Sequence, residues 1–411
     1  MARIHIIGAG LAGLSAAVEL SGKGHELFLY EAAPQAGGRC RSYFDAALGM
    51  NIDNGNHLLL SGNASALAYA SRIGAEDQLV GPPEAAFDFC DLASGKSWVL
   101  RPNAGRLPWW ILVPDRRVPG TAGMDYFALV KLLSADKQAL LRPLLGTGDL
   151  ARKLWDPLFV SALNTDPAEA SAALAGAIVR ETFMQGGAAC RPLVAVHGLS
   201  SALIDPALAF LQQQGAKVQF GAKLRDVAFA EGRASALDFG EEIISLGPQD
   251  HVILAIPASN AVALLPGLTA PDEFRSIVNA HFAYPAPAKL PLITGIIGGA
   301  SEWLFGFKDR LSVTISAAER FLATPREELA ATIWTEVQKV AGFAAPLPAW
   351  QIIKEKRATF AATPQQDALR PGAATQWSNL ALAGDWTQTG LPATIEGAIR
   401  SGLRAANLMP H

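Results

Sequence analysis

The first residues, "RIHIIGAGLAGLSAAVELSGKGHELFLYE", hold two kinds of apolar pattern. A run of strand length comes first, then a glycine turn, then small and apolar residues at helical spacing in "LAGLSAAVEL". After Gly22 and Gly24 a second short run, "ELFLYE", ends at Glu31. Strand, helix and strand in that order predict a βαβ unit. From about Gly74 to Ala189 the apolar positions take helical spacing, broken by proline-bearing loops. Alternation of period two returns in "GAKVQFGAKLRDVAFAEGRASALDFG" and "DHVILAIP", which predict strands. A mixed stretch follows to about Ala374, "NLALAGDW" predicts a last strand, and a helix is expected from about Pro392. The expected class is α/β, with two domains interleaved in sequence. Residues 1–73, 190–260 and 375–411 are expected to build a discontinuous Rossmann-type dinucleotide-binding domain, and 74–189 with 261–374 a mixed α+β substrate-binding domain. There is no internal repeat and no low-complexity linker.

Composition narrows the partners. Half of the 411 residues are apolar and 17% are charged, which leans toward a pocket for an apolar ligand. A net charge of −3 without a long basic run speaks against nucleic acid. Cys40, Cys90 and Cys190 are far apart and form no Cys/His cluster, so neither a disulfide framework nor a metal site is expected. The N-terminus reads as a strand rather than a signal peptide, and no run of 18 apolar residues marks a spanning helix. The expected location is cytoplasmic, with peripheral contact on the inner face of the membrane. "RLPWWILVPDRR", Arg106 to Arg117, suits a short interfacial segment, or else an entrance loop of the substrate domain.

Three motifs carry chemistry. Gly8, Gly10 and Gly13 form GxGxxG between a strand and a helix, where glycines allow a tight turn, a close approach to pyrophosphate and close helix packing. The helix start offers unpaired N–H groups to phosphate. Glu31, at the end of the second strand, is placed to accept both ribose hydroxyls of an adenosine and would repel a 2′-phosphate. "GGRCRS" supplies Gly38 for a loop beneath the pyrophosphate and Arg39 to offset its charge. Asp385 stands between the last apolar run and a Thr/Gly/Pro-rich turn that opens a helix.

In these residues the chain resembles the flavoprotein amine oxidases and carotenoid desaturases, whose opening combines GxGxxG, a "GLSAAVEL"-like helix, an acidic residue and GGRxxS. That resemblance implies an amine-oxidase-like fold and FAD. It implies that Asp385 binds the ribitol chain, that the backbone at Thr394 and Ile395 faces the flavin pyrimidine, that Leu224 lies against adenine, and that Asn56 belongs to the cofactor contacts. "DNGNHLLL", "WDPLFVSALNTDPAEASA", "IVNAHF" and "LAGDWTQTGLPATIEGAIRSG" are similar to the squalene-associated branch, the hydroxysqualene dehydroxylases. One departure is His197, where that pattern carries an arginine. The branch implies reductive dehydroxylation of hydroxysqualene to squalene, with His57 the first candidate for the proton donor and His281 the second. A carotenoid-type desaturase or an amine oxidase uses the same scaffold, and a catalytically inactive flavin-bound lipid carrier is the alternative outside enzymes. No second GxGxxG is present, since "GIIGGA" lacks the spacing. Electrons are therefore expected from a separate reductase or from loosely bound NAD(P)H.

Overall fold

The apolar runs at the start of the chain become the centre of a parallel sheet. In the computed structural model, which describes residues 2–410, the strands Arg3–Ile7 and Glu26–Glu31 pair in parallel on either side of the connecting helix Leu11–Leu20. Three distant segments complete the sheet in the order Lys217–Phe220, Glu26–Glu31, Arg3–Ile7, His251–Leu254 and Leu380–Leu382. Every pair is parallel. Parallel strands covered on both faces must be apolar throughout, and Ile4, Ile6, Leu27, Leu29 and Ile253 are buried accordingly. Each such side chain contributes about 1.5–3 kcal/mol. The helices Leu11–Leu20 and Ile395–Ala406 pack together on one face, where Ser15 Oγ donates to the Ile399 carbonyl at 2.9 Å.

Register explains why motifs far apart in sequence meet. Ile7 lies level with Tyr30 and with Leu254, and Leu254 is level with Leu382. Gly8, Glu31 and the turn that reaches Asp385 therefore leave the sheet at one carboxyl edge, the side where open α/β sheets bind ligands.

A second sheet of seven strands runs Trp350–Phe360, Phe274–Phe282, Leu311–Ile315, Trp303–Gly306, Ile293–Ile297, Phe87–Asp91 and Lys96–Leu100. The helix Arg326–Ala341 covers one face through Ile333, Trp334 and Val337, which pack on Val278, Ala280, Phe282 and Val313. The hairpin Phe87–Leu100 corrects the expectation of helices and loops alone between Gly74 and Ala189. Its first strand, "FDFCD", alternates, yet it is short and gains its place by parallel pairing with Ile293–Ile297, a contact with no local signature. The last helix begins at Ile395 rather than Pro392, because Thr394 caps it by accepting from the Gly397 N–H at 3.0 Å.

Candidate active site

The first βα turn forms a cradle for a dinucleotide. Gly8 has a φ of +106°, and a Cβ there would stand 2.3 Å from the Ala255 carbonyl oxygen. A Cβ on Gly13 would stand 1.9 Å from the Gly8 oxygen, so only glycine permits this approach of helix to strand. Gly10 is the N-cap of the Leu11–Leu20 helix and has no side-chain cap, and a Cβ there would meet nothing within 4 Å. Open space at an uncapped helix start is the setting a pyrophosphate needs. Glu31 is held by the backbone N–H groups of Ala9 and Ala33, both at 2.8 Å, which fix its carboxylate at the sheet edge. Leu224 is buried shortly beyond Ala222, whose N–H donates to the Glu31 carbonyl at 2.9 Å. The Gly37–Arg39 turn is tied to the cradle by the Gly37 N–H, which donates to the Ala9 carbonyl at 2.8 Å.

Arg39 joins the two ends of the chain. Its guanidinium donates to Asp385 Oδ1 at 2.7 Å and to the Ala358 carbonyl at 2.6 Å. The side chain is 44% exposed although protein surrounds it, so it lines an interior cleft. The Asp385 carboxylate raises the Arg39 pKa further above its ordinary value. Asp385 is buried, and its carbonyl accepts from Arg370, which also bonds the Thr387 carbonyl and Thr389 Oγ1. Arg370 thus shapes the turn that carries Asp385 to the Thr394 cap. Nothing in "LRPGAA" distinguishes it from a surface arginine.

The segment Asp53–His57 crosses between the two sheets. Asp53 accepts from Ser42 Oγ at 2.5 Å and from the Leu199 N–H at 2.8 Å. Asn279, from the large sheet, works as a peptide mimic around Gly55. Its Oδ1 accepts from the Asn56 N–H at 3.3 Å and from Thr314 Oγ1 at 2.8 Å, while its amide donates to the Asn54 carbonyl at 3.5 Å. Asn56 in turn donates to Thr314 Oγ1 at 3.1 Å. His57 follows directly and is half-buried. Burial, then the Arg39 charge, lowers its pKa to about 4. His281 lies apart from the cleft: it is fully buried and its Nδ1 is 2.8 Å from Ser312 Oγ. Burial, with Arg310 nearby, lowers its pKa to about 3.

Neighbouring positions on this face of the large sheet change character from end to end. Glu355, Asn279, His281, Thr314 and Ser312 make one end polar. Trp303, Phe305, Ile293, Phe89 and Trp98 make the other apolar. Phe89 stacks on Trp98 at 5.7 Å and packs obliquely on Trp303 at 5.7 Å.

Residues 11–410 match the family of flavin containing amine oxidoreductases. The chain belongs to this family. Among its relatives is the hydroxysqualene dehydroxylase of Rhodopseudomonas palustris, 55% identical over 99% of this chain and 98% of that protein. The hydroxysqualene dehydroxylase of Sinorhizobium fredii is 53% identical over 98% of this chain and 97% of that protein. A probable zeta-carotene desaturase of Synechococcus elongatus, 22% identical, spans 99% of this chain and 98% of its own. The fold is shared with a putative protoporphyrinogen oxidase from Exiguobacterium, at a TM-score of 0.70 and 17% identity over 99% of this chain and 98% of that one. It is shared too with cyclohexylamine oxidase from Brevibacterium oxydans, at 0.69 and 16% over the same shares. The protein is thus an FAD-dependent oxidoreductase. The uncapped helix start at Gly10, the fixed Glu31 carboxylate and the cleft-lining Arg39 fit that group.

Sequence reasoning passed over several residues around the cleft. Besides Arg370, these are Asn279, Thr314 and Glu355; away from it, the cluster of Glu396, Arg400 and Glu181 was passed over too. Asn279 had a signal, an amide inside the apolar strand "SIVNAHF". The others had none, because their partners lie far away in sequence.

Proposed function

We propose that this protein reduces hydroxysqualene to squalene. The observation that carries the reading is identity of 55% to a hydroxysqualene dehydroxylase across essentially the whole chain. The geometry supports it in that the half-buried His57 stands close enough to Arg39 of the cleft for the guanidinium to perturb it. In the reaction the carbon–oxygen bond breaks, a carbon–hydrogen bond forms, and the hydroxyl leaves as water after taking up one proton. Bound reduced FAD supplies the hydride. The start of the Ile395–Ala406 helix would offer its partial positive charge to the bound flavin and so favour the reduced, anionic form.

A hydroxyl leaves only when protonated or hydrogen-bonded by a donor. His57 is the first candidate donor, at the polar end and half-exposed. With a pKa near 4 it is neutral at pH 7, and about one molecule in a thousand carries the imidazolium. As the acid it predicts a rate that rises as pH falls toward 4. His281 is the second candidate, and its full burial away from the cleft ranks it below His57. Electrons come from a separate reductase or from NAD(P)H. Peripheral contact with a membrane at residues 106–117 belongs to the same reading, because the substrate is nearly insoluble in water.

The deciding experiment is anaerobic. The reduced holoenzyme is mixed with hydroxysqualene in detergent while flavin absorbance and squalene are followed. Reoxidation matched by squalene is expected. Absence of reoxidation, together with reduction of the oxidised enzyme by a carotene precursor or an amine, would assign the chain to the oxidising branches instead.

A further inference from the structure

The apolar side chains that the fold leaves uncovered gather in one place. Six of the fifteen large apolar residues exposed among the described residues lie between 107 and 130: Leu107, Trp109, Leu112, Met124, Phe127 and Val130. Leu107 and Met124 are 81% and 74% exposed. Met124, Phe127 and Val130 follow one another at three-residue intervals through the turn Gly123–Phe127 and the helix Ala128–Leu133, so they share one helical face. That face points outward. The inward face carries Tyr126 and Leu132, both buried. The neighbouring turn Trp109–Leu112 repeats the arrangement, with Trp110 and Ile111 buried and Trp109 and Leu112 outside. Leu112 lies against Gly123, which joins the two elements into a single surface. Scattered surface apolars need no explanation, whereas a contiguous patch marks an interaction site.

The charges around the patch select its partner. Arg106, Arg116, Arg117 and Lys131 outnumber Asp115 and Asp125 in a chain whose net charge is −3. Asp125 is turned onto the Ala122 N–H at 2.8 Å, and Arg117 is spent on the Ile111 carbonyl at 2.6 Å. Arg116 lies over the Trp109 ring at 4.8 Å, an amphipathic pair suited to the headgroup level of a bilayer. No helix among the described residues is long and apolar enough to cross a membrane, so contact through this face is shallow. A symmetric dimer through the patch would set the same cations against each other, which disfavours a second copy as the occupant.

We infer that residues 106–131 form a two-part face that docks on an anionic lipid bilayer. The inference deepens the proposed use of a lipid substrate, and it adds the outward helical stripe at Met124, Phe127 and Val130 to the segment at 106–117. Behind the face, Trp110, Tyr126, Trp155 and Phe159 pack in sequence at centroid distances of 5.1, 5.6 and 6.4 Å. Phe159 belongs to the helix Asp156–Leu163, after which Asn164 donates to Thr359 Oγ1 at 2.9 Å. Thr359 adjoins Ala358, whose carbonyl holds Arg39 in the cleft. Four packed aromatic rings thus back the docking face, and the helix that carries the last of them ends at a residue tied to the strand that holds Arg39.

The test is sedimentation of the FAD-loaded protein with phosphatidylcholine vesicles, with and without phosphatidylglycerol, in the absence of substrate. Binding is expected to be stronger to the anionic vesicles. Leu107→Ser, Leu112→Ser and Phe127→Ser together should lower partitioning at least roughly 100-fold, as expected when three apolar side chains that bury only part of their surface in the interface are lost. Arg106→Gln, Arg116→Gln and Lys131→Gln should remove the preference for anionic lipid, at roughly fivefold per charge. All these positions except the half-buried Arg116 are exposed, and an unchanged flavin spectrum and circular dichroism report that the variants fold. Unaltered sedimentation of the serine variant, or a dimer in solution that the serine variant abolishes, would overturn the inference. Since no substrate enters the assay, its result is independent of whether the enzyme reduces hydroxysqualene.

Discussion

Arg39 and Asp385 are 346 positions apart in sequence and 2.7 Å apart in the fold. Read separately, they suggest one group for pyrophosphate and another for a hydroxylated chain. Paired, each sets the other's orientation in the cleft. Asp385→Ala removes a charged hydrogen-bond partner, and FAD affinity should fall roughly 10- to 100-fold in a fluorescence titration of the apoprotein. Unchanged affinity would exclude Asp385 from the cofactor site. His57 makes a different prediction at the same scale. If it donates the proton, His57→Ala should lower single-turnover reoxidation at least 100-fold with FAD content intact, and should abolish the rise in rate below neutral pH. Full reoxidation in that variant would remove His57 from the mechanism.

Helices and strands act here by holding segments from other parts of the chain. Glu396, in the first turn of the last helix, is almost fully buried and accepts from the Ser65 and Ala66 N–H groups at 3.1 and 2.8 Å. It therefore caps the helix Ala64–Arg72, while Arg400 links it to Glu181 at 2.8 and 2.9 Å. Glu396→Gln should cost about 1–3 kcal/mol of stability, read as a lower midpoint in urea. Loss of flavin affinity without loss of stability would instead place Glu396 at the cofactor. Asn279 clamps the Asp53–His57 segment from a strand of the other sheet. Asn279→Ala should reduce turnover roughly tenfold with flavin content little changed and cost about 1–3 kcal/mol of stability, whereas Asn279→Asp keeps the acceptor and should recover part of the rate. A fall in flavin content that parallels the fall in rate in both variants would reduce Asn279 to a packing role.

Among the described residues, four histidines share one property, a pKa lowered chiefly by burial, and in His251 the shift is the smallest. His5 and His57 are held with pKa values of about 4 and His281 with one of about 3, in each case chiefly by burial. Each binds its proton more weakly in the folded chain than in the unfolded chain, where the ordinary value is about 6.5. The unfolded state then takes up more protons, so the stability they allow is complete above about pH 6.5 and is lost as pH falls toward 4. For the fully buried His281 the effect at low pH is of order 3 kcal/mol or more. Acid titration by circular dichroism should show unfolding begin in that window, and His281→Asn should shift its midpoint downward if the protein tolerates the substitution. An unchanged midpoint in a stable His281→Asn protein would show that other groups govern acid unfolding.

The dinucleotide elements were legible in sequence because their chemistry is local. A strand, three glycines and a helix start are contiguous, and the carboxylate ending the next strand follows at a distance fixed by the length of one βαβ unit. Asp385 stands out in sequence only through its neighbours, an apolar run before it and a helix after it, and its meeting with Arg39 was not written there. The Phe87–Leu100 hairpin, Arg370 and the Glu396–Arg400–Glu181 cluster were not legible, since each draws its role from a partner many residues away. The sequence by itself determined the class of cofactor, for backbone turns that admit a pyrophosphate are written in adjacent residues. Only the tertiary structure decided which side chains meet across the cleft and which apolar residues stay uncovered. Those outcomes follow from strand register and packing between distant segments, which no local pattern encodes.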